Sequence, residues 1–262
     1  MVKLTGKSCG VLSQLFSHWG DTTVLSCLQG YQGQAWTDSE TAPRCARITV
    51  GDFCFFAGDP FLPESEELIA RLPEGDWPQW YLIGTSDAWN QQIEAVWKNR
   101  VQAFERYAIR KEKDVFNEEK LRRLASELPD GYELRAFDEE LCRQAMAQEW
   151  SRDACGQFLS VEDYLRRGMG FGAVWGGQLV AEASTYSIYD EGFDMTIATR
   201  EDHRRKGLAR ACAARMILEA LEKGLYPAWD AKTMISVQLS EQLGYHMERP
   251  YRAYCLPVRE HK

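Results

Sequence analysis

One stretch constrains this 262-residue chain more than any other: Asp194-Met-Thr-Ile-Ala-Thr-Arg-Glu-Asp-His-Arg-Arg-Lys-Gly-Leu-Ala-Arg-Ala-Cys212. It reads as a strand that passes through a polar, basic loop and opens directly into a helix over 207–223. Gly207 lets backbone approach a ligand closely, and small Ala209 leaves the first turn unobstructed. The first amides of any helix lack intrahelical partners, and with the helix dipole they form an anion site. Arg200, Arg204, Arg205, Lys206 and Arg210 crowd that place and outnumber Glu201 and Asp202. A phosphate-bearing ligand is the natural occupant. In the helix, Arg215, Glu219, Glu222 and Lys223 occupy one narrow polar band, with i,i+4 charge pairs. Apolar residues cover nearly all the rest, so the helix is expected to lie buried against a sheet, its start rigidly held.

Two other glycine loops are excluded. The spacing is not GxGxxG, and Gly6-Lys7-Ser8 lacks the earlier glycine of a phosphate-binding P-loop. Around the central segment the pattern predicts a strand at 132–137, mostly helix over 138–167, and strands near 171–175, 178–187 and 192–199. A strand at 226–230, a helix at 232–243 and a last strand at 251–256 follow. Before them, Asn117–Leu128 reads as a helix stopped by Pro129-Asp130-Gly131, and the domain boundary is placed there: 1–125 and 126–262. The first part is richer in aromatics and turns. Ile48–Gly58 reads as strand, turn, strand; Pro63–Ala70 as a helix; Trp80–Gly84 as a buried strand; Ser86 or Asp87 as the cap of a helix through Trp97; and Val101–Ile109 as a strand. Arg106 and Tyr107 are expected on its surface, and Trp77, Trp80, Trp89 and Trp97 as a core cluster.

Composition removes several classes of function. With 45% hydrophobic and 12% aromatic residues the chain can bury a core, which disordered chains cannot. No apolar run approaches the roughly 20 residues of a membrane span, and the amino terminus has no signal-peptide pattern. The net charge of −8 argues against nucleic acid. Eight dispersed cysteines and four unpaired histidines fit reduced thiols and no metal site, so a cytoplasmic location is expected.

Arg204-Arg205-Lys206-Gly207-Leu208-Ala209 resembles the Arg/Gln-x-x-Gly-x-Gly/Ala signature of the GNAT-type N-acetyltransferases. The flanking strand and long helix, the ending Ser236-Val-Gln-Leu-Ser-Glu-Gln-Leu-Gly-Tyr245 and the element order from 132 to 256 carry the same likeness. Ile197-Ala-Thr199 and Pro227-Ala-Trp-Asp-Ala231 look more specifically like the family that includes zwittermicin-type resistance acetyltransferases. The resemblance implies an α+β (mixed α/β) GNAT fold: a central splayed mixed sheet flanked by helices. It implies acetyl-CoA as acyl donor, its pyrophosphate held by Arg204, Arg205, Lys206, Gly207, Leu208, Ala209 and Arg210. Its pantetheine arm would lie along Ile197, Ala198 and Thr199, with Ser236 nearby.

The reaction so implied is direct transfer to a small-molecule amine, by a monomer or homodimer, with no metal, membrane or nucleic-acid partner. Asp194 is the candidate base and Glu182 the second choice. Tyr245 or solvent is the substitute acid, because Ser240 stands where many relatives carry tyrosine. Thr233 replaces a frequent asparagine, Glu201 a frequent proline and Arg205 a frequent glycine. Asp230 is read as the cap of the helix near Lys232, Ser236 as a helix-face residue, and His203 as a solvated loop residue. A non-catalytic acyl-CoA binder and a protein acetyltransferase remain the alternatives. The first half is expected to be a degenerate copy of the same fold, without a phosphate loop, that walls off the acceptor pocket.

Overall fold

The computed structural model describes residues 1–73 and 77–258 and divides the chain into two compact units. The first comprises residues 1–106 and 250–262, the second 107–249. Among the described residues no helix is long and apolar enough to cross a membrane.

In the first unit the elements run β1 (Val2–Thr5), α1 (Thr22–Leu28), β2 (Gln34–Thr37), β3 (Cys45–Val50), β4 (Phe53–Gly58), α2 (Pro63–Ala70), β5 (Gln79–Gly84), α3 (Asp87–Trp97) and β6 (Gln102–Ile109), whose last residues pass into the second unit. Neighbours from β1 to β4 pair antiparallel, while β4 and β5 pair parallel across the α2 crossover. Trp80 and Trp89 lie buried in the core with Phe56, Leu68 and Ile93, and Trp77 and Trp97 pack against them. The expected tryptophan cluster is therefore core. Arg106, expected on the surface, is buried instead: its Nε donates to the Tyr251 hydroxyl at 3.2 Å and its guanidinium lies 4.9 Å from the Phe53 ring. Tyr107 is half-buried. Aromatic faces that stack on a guanidinium stabilise it in a dry place, a pairing that strand alternation alone does not reveal.

The second unit holds α4 (Glu118–Ser126), β7 (Tyr132–Ala136), α5 (Glu139–Met146), α6 (Val161–Arg167), β8 (Gly170–Trp175), β9 (Gln178–Tyr189), β10 (Gly192–Thr199), α7 (Leu208–Glu222), β11 (Tyr226–Ala228), β12 (Asp230–Ala231), α8 (Met234–Leu243) and β13 (Met247–Pro257), the last again crossing between units. Its five-stranded sheet has the order β11-β10-β9-β8-β7, antiparallel except for the parallel β10–β11 pair across α7. Leu121 and Leu124 of α4 are buried in the same core as Leu208, Cys212 and Ile217 of α7. This packing goes with the placing of 107–125 in the second unit.

The two units repeat one plan. Each contains a strand, short helical segments, three antiparallel strands, a helix, a parallel strand, a helix and a strand in that order, and the second adds α4 at its start and the two-residue β12 before α8. The final strands are exchanged: β13 pairs with β5 over Tyr254–Pro257, and the end of β6 pairs with β12 over Tyr107–Ala108. The two units differ at the junction between their third antiparallel strand and the following helix. The helix after β4 begins at Leu62 with Pro63 in its first turn and Glu64 and Glu66 beside it, which removes an amide and repels anions. All eight cysteines are free thiols.

Candidate functional site

The corresponding junction in the second unit has the opposite character. β10 leaves its neighbour early: it pairs with β11 only over Gly192–Asp194. Its pairing with β9 continues to Thr199 and is extended by the Arg200 amide, which donates to the Val180 carbonyl at 2.9 Å. Ile197, Ala198 and Thr199 thus lie on a strand that has parted from β11, the splay an extended ligand needs in order to add as a strand. Between Asp194 and Met195 the register with β9 shifts by one residue, leaving Tyr186 as the bulge. Bulges of this kind re-aim side chains beside functional sites.

After Thr199 a single tight turn, Glu201–His203, leads into the basic loop. Arg205 takes φ +63° and Gly207 φ +80°, and Gly207 caps α7 without any side-chain bond. The first bond of the helix runs from the Ala211 amide to the Gly207 carbonyl at 3.1 Å. The amides of Leu208, Ala209 and Arg210 precede it and face out of the helix end. A Cβ at Gly207 would meet only the Arg210 guanidinium, at 3.5 Å. Arg204, Arg205 and Lys206 are exposed, and Arg204 Nε donates to the Thr199 carbonyl at 3.3 Å. Arg210 is half-buried, paired with Glu127 at 3.2 Å. The residues expected to form a phosphate cradle are therefore brought together, on a helix anchored by buried Leu208, Cys212 and Ile217. Such a helix end can bind a pyrophosphate.

Asp194, Thr196 and Ala198 alternate with core-facing Phe193, Met195 and Ile197, and their partners across the ladder are Ser187, Ser184 and Glu182. Asp194 is buried. Glu182 is 1% exposed, and neither of its carboxylate oxygens has a hydrogen-bond partner. Burial first, and then the charge of Asp153, holds its carboxyl well above the usual carboxylate range. A buried acid without partners keeps its proton. Ser184 is satisfied, its hydroxyl 2.6 Å from that of Tyr164 and 2.5 Å from the Ala154 carbonyl.

The remaining sequence candidates are held by other partners. Tyr245 is buried between Phe116 and Trp229, its hydroxyl donating to the Pro227 carbonyl at 2.5 Å. Burial pushes its phenol well up. Ser236 accepts from the Trp229 indole at 3.1 Å, and the Ser240 hydroxyl donates back to the Val237 carbonyl at 2.8 Å. Asp230 does not cap α8. Pairing with Ala108 draws it into β12, and Thr233 caps the helix by accepting from the Ser236 amide at 3.2 Å. His203, expected in solvent, is only 5% exposed and belongs to a loop-anchoring network with Tyr132 and Arg200. Its spacing from Tyr132, 71 residues away, gave the sequence no signal. Among the described residues, no group of three or more His, Cys, Asp or Glu could hold a metal ion.

Comparison with known proteins places the chain among acetyltransferases. A family model described as GNAT acetyltransferase matches residues 13–254. An uncharacterized N-acetyltransferase of Bacillus subtilis (strain 168), YdfB, is 26% identical over 267 residues, covering 96% of this chain and 97% of that protein. The crystal structure of a GCN5-related N-acetyltransferase-like protein from Streptococcus suis 89/1591 is 35% identical with a TM-score of 0.87, over 95% of this chain and 98% of that one. A GCN5-related N-acetyltransferase from Sphaerobacter thermophilus shares the fold at 13% identity, with a TM-score of 0.57 over 99% and 96%.

Proposed function

Because this chain belongs to the GNAT acetyltransferase family, we propose that it moves an acetyl group from acetyl-CoA to the primary amine of a small molecule by direct transfer. The observation that carries this reading is the junction of β10 and α7. A strand that parts from its neighbour leads through two left-handed residues, Arg205 and Gly207, to a helix end with free amides. Those donors suit acetyl-CoA: the amides of Leu208 to Arg210 and the side chains of Arg204, Arg205 and Lys206 would hold its pyrophosphate, and Ile197 to Thr199 would pair with its extended arm. When bound, the thioester supplies an activated acetyl group and a thiolate as leaving group.

What the chain itself must do is deprotonate the amine, orient it and return a proton. Asp194 is the base in this reading, set at the end of the β10–β11 pairing and beside the bulge. Glu182 lies on the same sheet face and, kept protonated by burial, suits a proton donor better than a base. Tyr245 suits neither task while its hydroxyl stays on Pro227, and Ser240 has turned its own hydroxyl into its helix.

The test is a calorimetric titration with acetyl-CoA, followed by a thiol-release screen over small amines and a peptide control. Binding with turnover on small amines supports the proposal. Absence of binding at micromolar to millimolar ligand refutes it, and binding without turnover on any amine makes the chain a non-catalytic acyl-CoA binder. Asp194→Asn is expected to lower turnover by about 10²-fold or more at neutral pH while acetyl-CoA affinity survives. Near wild-type turnover would remove Asp194 from its role.

A further inference from the structure

Arg205 holds φ +63° although it carries a Cβ. A left-handed non-glycine residue is strained and persists only where its surroundings over-determine it. Those surroundings centre on His203. Its Nδ1 lies 2.7 Å from the Tyr132 hydroxyl and its Nε2 2.7 Å from the Arg200 guanidinium. The Tyr132 ring meets it edge-on at 5.6 Å, and Trp175 covers it at 5.5 Å. Lys206, inside the loop, donates to the same Tyr132 hydroxyl at 2.9 Å. Arg200 is steadied in turn by Asp202, at 2.8 Å and 3.1 Å.

The donor–acceptor inventory fixes the state of the ring. A guanidinium can only donate, so Nε2 must accept and carries no proton. The proton of the neutral ring is then on Nδ1 and is donated to the Tyr132 oxygen, which also accepts from Lys206. The groups that face the ring act in both directions. Arg200 and Lys206 oppose a positive charge there, Asp202 at 3.5 Å from Nε2 favours one, and Tyr132 and Trp175 are uncharged. Protonation would set Nε2–H against a guanidinium N–H, two donors and two cations in direct contact.

We propose that His203 is the positioning residue of the basic loop. As the neutral Nδ1–H tautomer it ties Arg200, Tyr132 and, through Tyr132, Lys206 into one strut, and its protonation opens that strut and weakens acyl-CoA binding. The strut spans the loop from its first residue to the one before Gly207, so it holds Arg205 where the backbone alone would not. This inference rests on the reading of the loop as a pyrophosphate site.

The test uses dephospho-CoA as probe, because the 3′-phosphate of CoA itself titrates near pH 6. Calorimetric affinity is measured at about pH 7.5 and about pH 4.5, well below the ordinary histidine value because burial and the Arg200 guanidinium lower that of His203. In the wild type the dissociation constant should rise by about tenfold on acidification. In His203→Gln, which cannot take up a proton, the ratio between the two values should stay below about threefold. Tyr132→Phe, which cuts the link to Lys206, should weaken binding at the higher pH and shrink the ratio; it serves as the second variant if the first does not fold, which circular dichroism reads. A flat wild-type profile, or a His203→Gln ratio equal to the wild type's, overturns the proposal. Absence of any binding at the higher pH refutes the pyrophosphate reading itself, whereas binding that ignores pH refutes only the role of His203.

Discussion

Replacing Glu182 by glutamine tests whether the polar face of the second unit is dry. Glu182 is 1% exposed with neither oxygen hydrogen-bonded, and burial, with Asp153 next, holds its carboxyl well above its ordinary value. A carboxyl raised in the folded state contributes stability that is fully present below its unfolded pKa and is lost as pH rises toward the folded one. Each pH unit across that window removes about 1.4 kcal/mol from the wild type. Glu182→Gln keeps the shape and the neutral polarity but cannot ionise, so its stability carries no such slope. Denaturant unfolding of both proteins at several pH values isolates the residue together with its coupling to Asp153, because titrations that do not interact with Glu182 cancel in the difference. The variant should gain on the wild type as pH rises from 5 to 7, by up to about 1.4 kcal/mol per pH unit. Parallel curves would mean that ionised Glu182 is as well stabilised in the folded protein as in water. The argument that burial keeps its proton, and with it the preference for Asp194 as base, would then fall.

Three further outcomes follow from the geometry. Gly207→Ala places a Cβ at φ +80° with only the Arg210 guanidinium nearby; its cost is backbone strain of about 1–2 kcal/mol, read as a loss of acetyl-CoA affinity by calorimetry or of stability by thermal unfolding, and no change in either would refute it. Gly192→Ala drives a Cβ into the Tyr226 carbonyl where β10 and β11 begin to pair; urea unfolding should show a loss of about 1–3 kcal/mol, and wild-type stability would show that the pair is not so close. Asp163, hydrogen-bonded first to Arg167 and then to Arg166, has its carboxyl lowered to about 2. Its contribution is present above its ordinary pKa and is lost as pH falls through about 2, so Asp163→Asn should cost about 1–2 kcal/mol at pH 7 and almost nothing near pH 2, and an equal loss at both would refute the pairing.

Much of the second unit could be read from residue order. The strands at 170–175, 178–189 and 192–199 and the helix at 208–222 fall within a few residues of expectation, because alternation and the 3.6-residue period are local signals. The basic loop was legible for the same reason: its glycine, its basic residues and its helix are consecutive. His203 was misjudged because its partners come from β7 and β8, and Asp230 because a two-residue pairing with β6 outweighed its capping preference. The burial of Arg106 depends on Phe53 and Tyr251, 53 and 145 residues away in sequence.

The central segment, taken by itself, determined that a strand must run through a basic loop into a buried helix with free amides at its start, since conformational preference, charge and periodicity all act within a few residues. The tertiary structure decided everything that required distant residues to meet. It exchanged the last strands of the two units, parted β10 from β11 beyond Asp194, left Glu182 dry, and set the His203 ring between Tyr132 and Arg200. The physical reason is the same in each case: a ladder partner, a desolvated carboxyl and a ring tautomer are properties of what surrounds a residue, and the chain sets those surroundings only once it has folded.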